Sequence, residues 1–263
     1  MASCDSSKED ALACRLVRTR TKSCPSCPQR VSSTSSAAVR IPNRPDASFG
    51  RAALEAATAD VVQGTVGAGT GARAGGLKGG IGSASVVLEN GVTVAALVAL
   101  NSGGNVVDPR TGELYGRRYG LEREFDHVIT PSPQDASSAR QWLSGPRARN
   151  TVLVVVATDA SLTKSESCRV AMAAHDGLAR AITPVRCLTD GDVVFSLATG
   201  TVTLPEGPGG GVITTASSRP EHLDIVMAAG ANAVTRAVVH ATLSATTALN
   251  IPAYFDVYPT ARA

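Results

Sequence analysis

The peptide bond between Asn150 and Thr151 joins a Gly-, Pro- and Arg-containing stretch, Gly145-Pro-Arg-Ala-Arg-Asn150, to an apolar β-branched run that opens at Thr151. Such a junction can do chemistry that an isolated hydroxyl cannot. Once the bond before Thr151 is broken, Thr151 carries a free α-amino group, whose ordinary pKa is near 7.7–8.0. That amine can take the proton of the same residue's hydroxyl, so no histidine is required. The hydroxyl can also start the break, attacking the Asn150 carbonyl in an N-to-O acyl shift. On its own, a threonine ahead of a strand is ordinary, and the junction is one reading among several.

The other reactive residue types point less clearly. The four histidines, His127, His175, His222 and His240, have no metal-ligand spacing, and His175 and His240 fall within helical stretches. There is no G-x-S-x-G, which disfavours an α/β-type Ser-His-Asp hydrolase. Cys24-Pro-Ser-Cys27 is a C-x-x-C pair without the second matched pair that a structural zinc site needs. Residues 64–82 hold nine glycines, and Gly69-x-Gly71-x-x-Ala74 fits a loose dinucleotide fingerprint. Lys78, however, is followed by Gly79 where a P-loop has Ser or Thr. A glycine run also serves to let backbone approach backbone or substrate closely.

Several elements must position these residues. Asp46 to Val62 has helical spacing with Asp46 placed to cap it. The stretch ASVVLENGVTVAALVAL, from Ala84 to Leu100, reads as two strands turned at Asn90-Gly91. Gln134 to Ser144 reads as a short helix, and TVLVVVATD from Thr151 as a strand covered on both faces. Thr163-Lys-Ser-Glu166 is a capping box for a helix to about Ala181. Val193 to Leu197 is another strand, Pro205 to Gly211 a turn, and Pro220 to about Leu249 a long helix. The tail IPAYFDVYP reads as a short final strand. The fold class is α/β.

Four segments, in this order, resemble one family: GAGTGARAGGLKGGIGSAS, then VAALVALN, then Asn-Thr-x-x-x-x-x-ATD, then TDGD-x-x-x-x-LATG. The family is the DmpA-like L-aminopeptidase/D-esterase family of N-terminal-nucleophile hydrolases. The Asn-Thr junction and the two aspartates of TDGD resemble its nylon-oligomer (6-aminohexanoate-oligomer) endohydrolase branch. The resemblance covers about residues 44–258. It implies a layered αββα sandwich, self-cleavage between Asn150 and Thr151, and Thr151 as nucleophile of both cleavage and hydrolysis. It further implies that Asp190 and Asp192 orient and tune the amine and hydroxyl, that Asn101 donates to the oxyanion, and that Lys78 lies near the nucleophile and supports its deprotonated form. Taken alone, the two aspartates would be turn residues around Gly191, Asn101 a strand-end cap, and Lys78 a solvated loop charge. The resemblance also implies no metal or organic cofactor, a small amide or peptide substrate, and a homo-oligomer of the processed protomer. The family's glycine-rich front segment, with strands and an active-site tyrosine, is not matched by residues 1–43.

The chain has 263 residues, 43% apolar and 18% charged, with a net charge of +3. Residues 1–45 hold eight Lys/Arg against three Asp/Glu, so the basic excess belongs to this arm and the rest is nearly neutral. With nine Ser and no aromatic residue, the arm (residues 1–43) reads as a disordered leader ahead of a single hydrolase domain, residues 44–263, cut into 1–150 and 151–263. No basic, aromatic-interleaved face follows it, so nucleic acid is not the expected partner. No apolar stretch of about 18 residues is present, so no membrane span is expected. With no apolar signal region and no disulfide framework, the expected location is cytoplasmic. The rival readings are an L-aminopeptidase/D-esterase-type peptidase, an uncut inactive remnant, and a nucleotide-binding protein using the glycine loop.

Overall fold

The structure is a computed structural model that describes residues 47–58, 60–143, 150–188, 190–205 and 218–263. The expected leader, the Cys24/Cys27 pair, the Asp46 cap, residues 145–149 of the junction loop and most of the Pro205–Gly211 turn lie outside the described residues. In chain order the elements are α1 (Ala47–Glu55), the two-residue strands β1 (Arg73–Ala74) and β2 (Leu77–Lys78), β3 (Gly80–Val87), β4 (Thr93–Leu100), α2 (Pro133–Leu143), β5 (Leu153–Ala160), α3 (Lys164–Ala181), β6 (Val193–Val202), α4 (Arg219–Leu243) and α5 (Tyr254–Val257).

Strands β3 to β6 form one sheet in sequence order. The pairs β3–β4 and β4–β5 are antiparallel, and β5–β6 is parallel, with α3 as the crossover. The Asn90-Gly91 signal is borne out. Leu88 N–H donates to Val92 O at 2.8 Å, and Gly91 takes φ +81°. Asn90 contributes through its side chain instead of a positive φ: Oδ1 accepts from Val92 N at 3.1 Å. The capping box is also borne out, with Thr163 and Glu166 each satisfying the other's backbone N–H.

Helices α3 and α4 pack against each other and cover one face of the sheet. The approach is close because the facing residues are small. A Cβ at Gly82 would lie 2.0 Å from Ala237 O of α4, so β3 can sit there only with glycine. Under the helices are Ala84, Ala96, Val98, Val154 and Val156, all buried. This is a Val/Ala/Leu core, as the scarcity of aromatics requires.

Four expectations need correcting. Helix α1 ends at Glu55, seven residues short of the expected Val62. The β5 run, expected to be covered on both faces, is buried at every residue from Val156 to Ala160 but not at its start, where Leu153 is 42% exposed and, on the adjoining β6, Phe195 is 48% exposed. Their face of the sheet has no helix over it among the described residues. Helix α4 stops at Leu243, six residues before Leu249: Ser244 caps it with its N–H on His240 O, and the chain later turns through Leu249 and Asn250, both at positive φ. The tail forms the short helix α5 and a 3₁₀ turn at Pro259–Ala261, not a strand. Helical spacing brings Tyr254 and Tyr258 within one turn of each other, ring centroids 5.1 Å apart and both buried, whereas an extended strand would space them about 13 Å apart along one face. No helix among the described residues is long and apolar enough to cross a membrane.

Candidate active site

Thr151 sits where the β5–β6 pairing begins. Asn150 forms an isolated parallel bridge with Asp190, and Val193 N–H donates to Val152 O at 3.0 Å. The end of β4 closes in from the other side, with Thr151 N–H donating to Asn101 O at 2.9 Å. Three neighbouring strand ends thus bring Asn101, the Asn150–Thr151 bond and the two aspartates together, across about 90 residues of sequence separation.

The Asn150–Thr151 bond is held at several points. The Thr151 hydroxyl donates to Asn150 O at 2.7 Å, so the oxygen that would attack already lies against the carbonyl it would attack. Gly191 N–H donates to the same carbonyl oxygen at 3.1 Å. A Cβ at Gly191 would be 3.1 Å from Thr151 Oγ1, so glycine leaves the hydroxyl its room. The Asn150 side chain is buried, its Nδ2 donating to Ser102 O at 2.7 Å.

Asn101 has a fixed amide orientation. Its Oδ1 accepts from Arg73 N at 3.1 Å, so Nδ2 must be the other end of the carboxamide. That Nδ2 is buried and has no partner. An orphaned buried donor costs about 1–3 kcal/mol, and this one sits on the residue whose carbonyl holds Thr151 N. It is free to donate to a developing oxyanion, a contribution of about 2.7–4 kcal/mol in sites of that kind.

The aspartates flank Thr151 through backbone amides. Asp190 Oδ2 accepts from Gly103 N at 2.9 Å, and Asp192 Oδ1 accepts from Val152 N at 2.9 Å. Their remaining oxygens, Asp190 Oδ1 and Asp192 Oδ2, are buried and unpartnered. Burial pushes the Asp190 carboxyl up to about 6; the Gly103 N–H works against this and the neighbouring Asp192 carboxylate adds to it. The pair is therefore suited to sharing a proton or receiving an ammonium.

Lys78 is fully buried, and its ammonium donates to three carbonyls of the glycine-rich segment: Gly69 O at 2.6 Å, Gly79 O at 2.9 Å and Ala72 O at 3.0 Å. Burial lowers its pKa to about 8. None of these three Lys78 bonds goes to Thr151. Its link to the site is Arg73, paired with Lys78 across β1–β2, whose N–H holds Asn101 and whose carbonyl accepts from Ser102 N. The glycine segment thus turns carbonyls towards a lysine, the reverse of the amides that cradle a phosphate.

Sequence reasoning missed three backbone contributors: Gly191 N–H on the Asn150 carbonyl, Ser102 O on the Asn150 side chain, and Gly103 N–H on Asp190. Backbone groups carry no residue-type signal; the glycine inside Asp190-Gly-Asp192 was the one available hint. His175, read as an ordinary helical histidine, lies near enough to Asp192 for that carboxylate to act on it, although burial and Arg186 lower its pKa. Among the described residues, no three His, Cys, Asp or Glu side chains gather in a way that could hold a metal ion. A cavity of about 730 Å³ beside Tyr115, Arg117 and Arg180 has none of the Thr151 cluster in its wall, so volume does not mark the chemistry here.

Comparison with known proteins adds independent findings. The profile of peptidase family S58 matches residues 39–251. An uncharacterized aminopeptidase of Mycobacterium tuberculosis is 45% identical over 221 residues, covering 82% of this chain and 62% of the relative. A 6-aminohexanoate-oligomer endohydrolase of Kocuria is 32% identical over 177 residues, covering 63% of this chain and 48% of the relative. Among solved structures, the L-aminopeptidase D-Ala-esterase/amidase of Ochrobactrum anthropi, described as a variant of the Ntn-hydrolase fold, aligns with a TM-score of 0.50 and 28% identity, covering 74% of this chain and 49% of that one. The chain therefore spans between about half and three-fifths of the length of these relatives. It shares the mixed α/β, Ntn-hydrolase type of fold with its structural neighbour.

Proposed function

Because the chain belongs to peptidase family S58, we propose that it is a self-processing amide-bond hydrolase with Thr151 as its nucleophile. The observation that carries the reading is the 2.7 Å contact between the Thr151 hydroxyl and the carbonyl of Asn150. The hydroxyl adds to the Asn150 carbonyl carbon, the C–N bond breaks, and the hydroxyl proton ends on the departing Thr151 nitrogen. An ester on Thr151 Oγ1 results. Water cleaves it, leaving Asn150 as a carboxylate terminus and Thr151 with a free amine.

In turnover that amine takes the hydroxyl proton as Oγ1 attacks a substrate amide, then passes it to the leaving nitrogen. Asn101 Nδ2 donates to the oxyanion. Asp190 and Asp192 orient the amine and hold its proton affinity up, against the lowering effect of burial. Lys78 braces the loop that fixes Asn101, and its positive charge favours a deprotonated nucleophile. The substrate is a linear amide or short peptide, as the names of the relatives suggest, and the processed protomer works as a cytoplasmic homo-oligomer. The aminopeptidase-type alternative differs in substrate, not in chemistry.

The test is hydrolysis of short L-peptide amides and of 6-aminohexanoate oligomers by purified protein, followed by mass spectrometry. Turnover that is lost in Thr151→Ala supports the reading. Turnover that survives in Thr151→Ala removes it.

A further inference from the structure

Self-cleavage and turnover pass through the same kind of species, an acyl group esterified to Thr151 Oγ1. In the first, the acyl group is Asn150; in the second, it comes from the substrate. The uncut chain therefore displays its own residue in the place an acyl group occupies. That place is specific: Asn150 is only 6% exposed, its Nδ2 donates to Ser102 O at 2.7 Å, and its Oδ1 is buried without a partner. Ser102 is itself fully buried and held by Arg73 O through its N–H and by Gly104 O through its hydroxyl. The pocket thus offers a rigid acceptor and nothing to satisfy an acceptor in return. After cleavage Asn150 is a chain end and must vacate the pocket for substrate to enter.

We propose that the pocket holding the Asn150 carboxamide is the acyl-side specificity pocket of the mature enzyme, and that it selects acyl groups with an N–H donor four bonds from the scissile carbonyl carbon, such as 4-aminobutanoyl. Four bonds is the separation of Nδ2 from the backbone carbonyl carbon in Asn150 itself. A primary amine suits the pocket better than a carboxamide, because it donates to Ser102 O without burying the unpaired oxygen that Asn150 does. Once protonated, it also adds a charge that the unpartnered oxygen of Asp190, whose other oxygen accepts from Gly103 N–H beside Ser102, can attract. The inference deepens the hydrolase reading and rests on it.

The test compares mature protein on 4-aminobutanoyl-, 3-aminopropanoyl-, 6-aminohexanoyl- and pentanoyl-glycinamide. Pentanoyl replaces the terminal amine of 4-aminobutanoyl with a methyl group at the same position. The expected kcat/KM for 4-aminobutanoyl is about tenfold that for pentanoyl, and higher than for the shorter and longer amines. A ratio below threefold against pentanoyl, or a maximum at another amine length, overturns the proposal while leaving Thr151 as nucleophile. A second measurement needs no substrate: Asn150→Leu, of similar size but without a donor, should mature about tenfold more slowly. Maturation at the parent rate overturns the proposal. If neither the parent chain nor any amide is cut, the nucleophile reading falls as well, and that outcome is distinct from a loss of selectivity.

Discussion

At the scale of single residues, the candidate site is a set of buried polar atoms without hydrogen-bond partners. Asn101 Nδ2, Asp190 Oδ1 and Asp192 Oδ2 are all buried without partners. Asp190 gives this a measurable consequence. Its folded pKa of about 6 lies above the ordinary 3.8, so between those values the folded chain binds a proton that the unfolded chain has lost. The corresponding stability is fully present below about pH 4 and disappears as pH rises through 6. In uncut Thr151→Ala protein, adding Asp190→Asn should therefore raise the melting temperature at pH 8 and have little effect at pH 5. Melting curves across pH 4 to 8 check this; a gain at pH 5 larger than at pH 8 would contradict the buried-acid account. Thr151→Ser, which keeps a hydroxyl at the same place, should still mature, whereas Thr151→Ala should not, as read on denaturing gels.

At the scale of elements, local sequence rules did most of the positioning. The capping box at Thr163 sets where α3 begins, and α3 is the crossover that makes β6 parallel to β5. Thr163→Ala should cost about 1 kcal/mol in urea unfolding. Gly82→Ala should cost more, about 1–3 kcal/mol, because its Cβ would collide with Ala237 O and push β3 off α4. Equal costs for the two would argue against the close packing of that helix. The Asn90-Gly91 hairpin, the Thr163 cap and the β-branched β5 were legible because each depends on a few adjacent residues. The end of α4 and the helical tail were not, since contacts such as Tyr254 on Tyr258 override an apolar run that suits a strand equally well. In the candidate site, Asn101, Thr151, Asp190 and Asp192 were marked by the family resemblance and not by any local rule, and they lie together. The carbonyls around Lys78 and the backbone of Ser102, Gly103 and Gly191 depend on pairing between distant strands, which no local pattern carries.

At the scale of the whole molecule, the chain is a sheet with a well-filled helical face and a second face of different character. Leu153, Val193 and Phe195 stand partly exposed on that second face, in register across β5 and β6. Apolar surface gathered in this way binds hydrophobic dyes. Leu153→Ser with Phe195→Ser should lower anilinonaphthalene sulfonate fluorescence without loss of helical circular dichroism; unchanged fluorescence would mean that other parts of the chain cover the face. The helical face does not touch the chemistry directly, but it holds β4, β5 and β6 so that their ends converge on Thr151. That convergence gives the molecule its central claim, and an intact-mass spectrum of purified, active protein tests it most directly. The account predicts a species spanning residues 151–263 that begins with Thr151, absent from Thr151→Ala. Full activity from a chain whose backbone runs unbroken from Asn150 into Thr151 would contradict it.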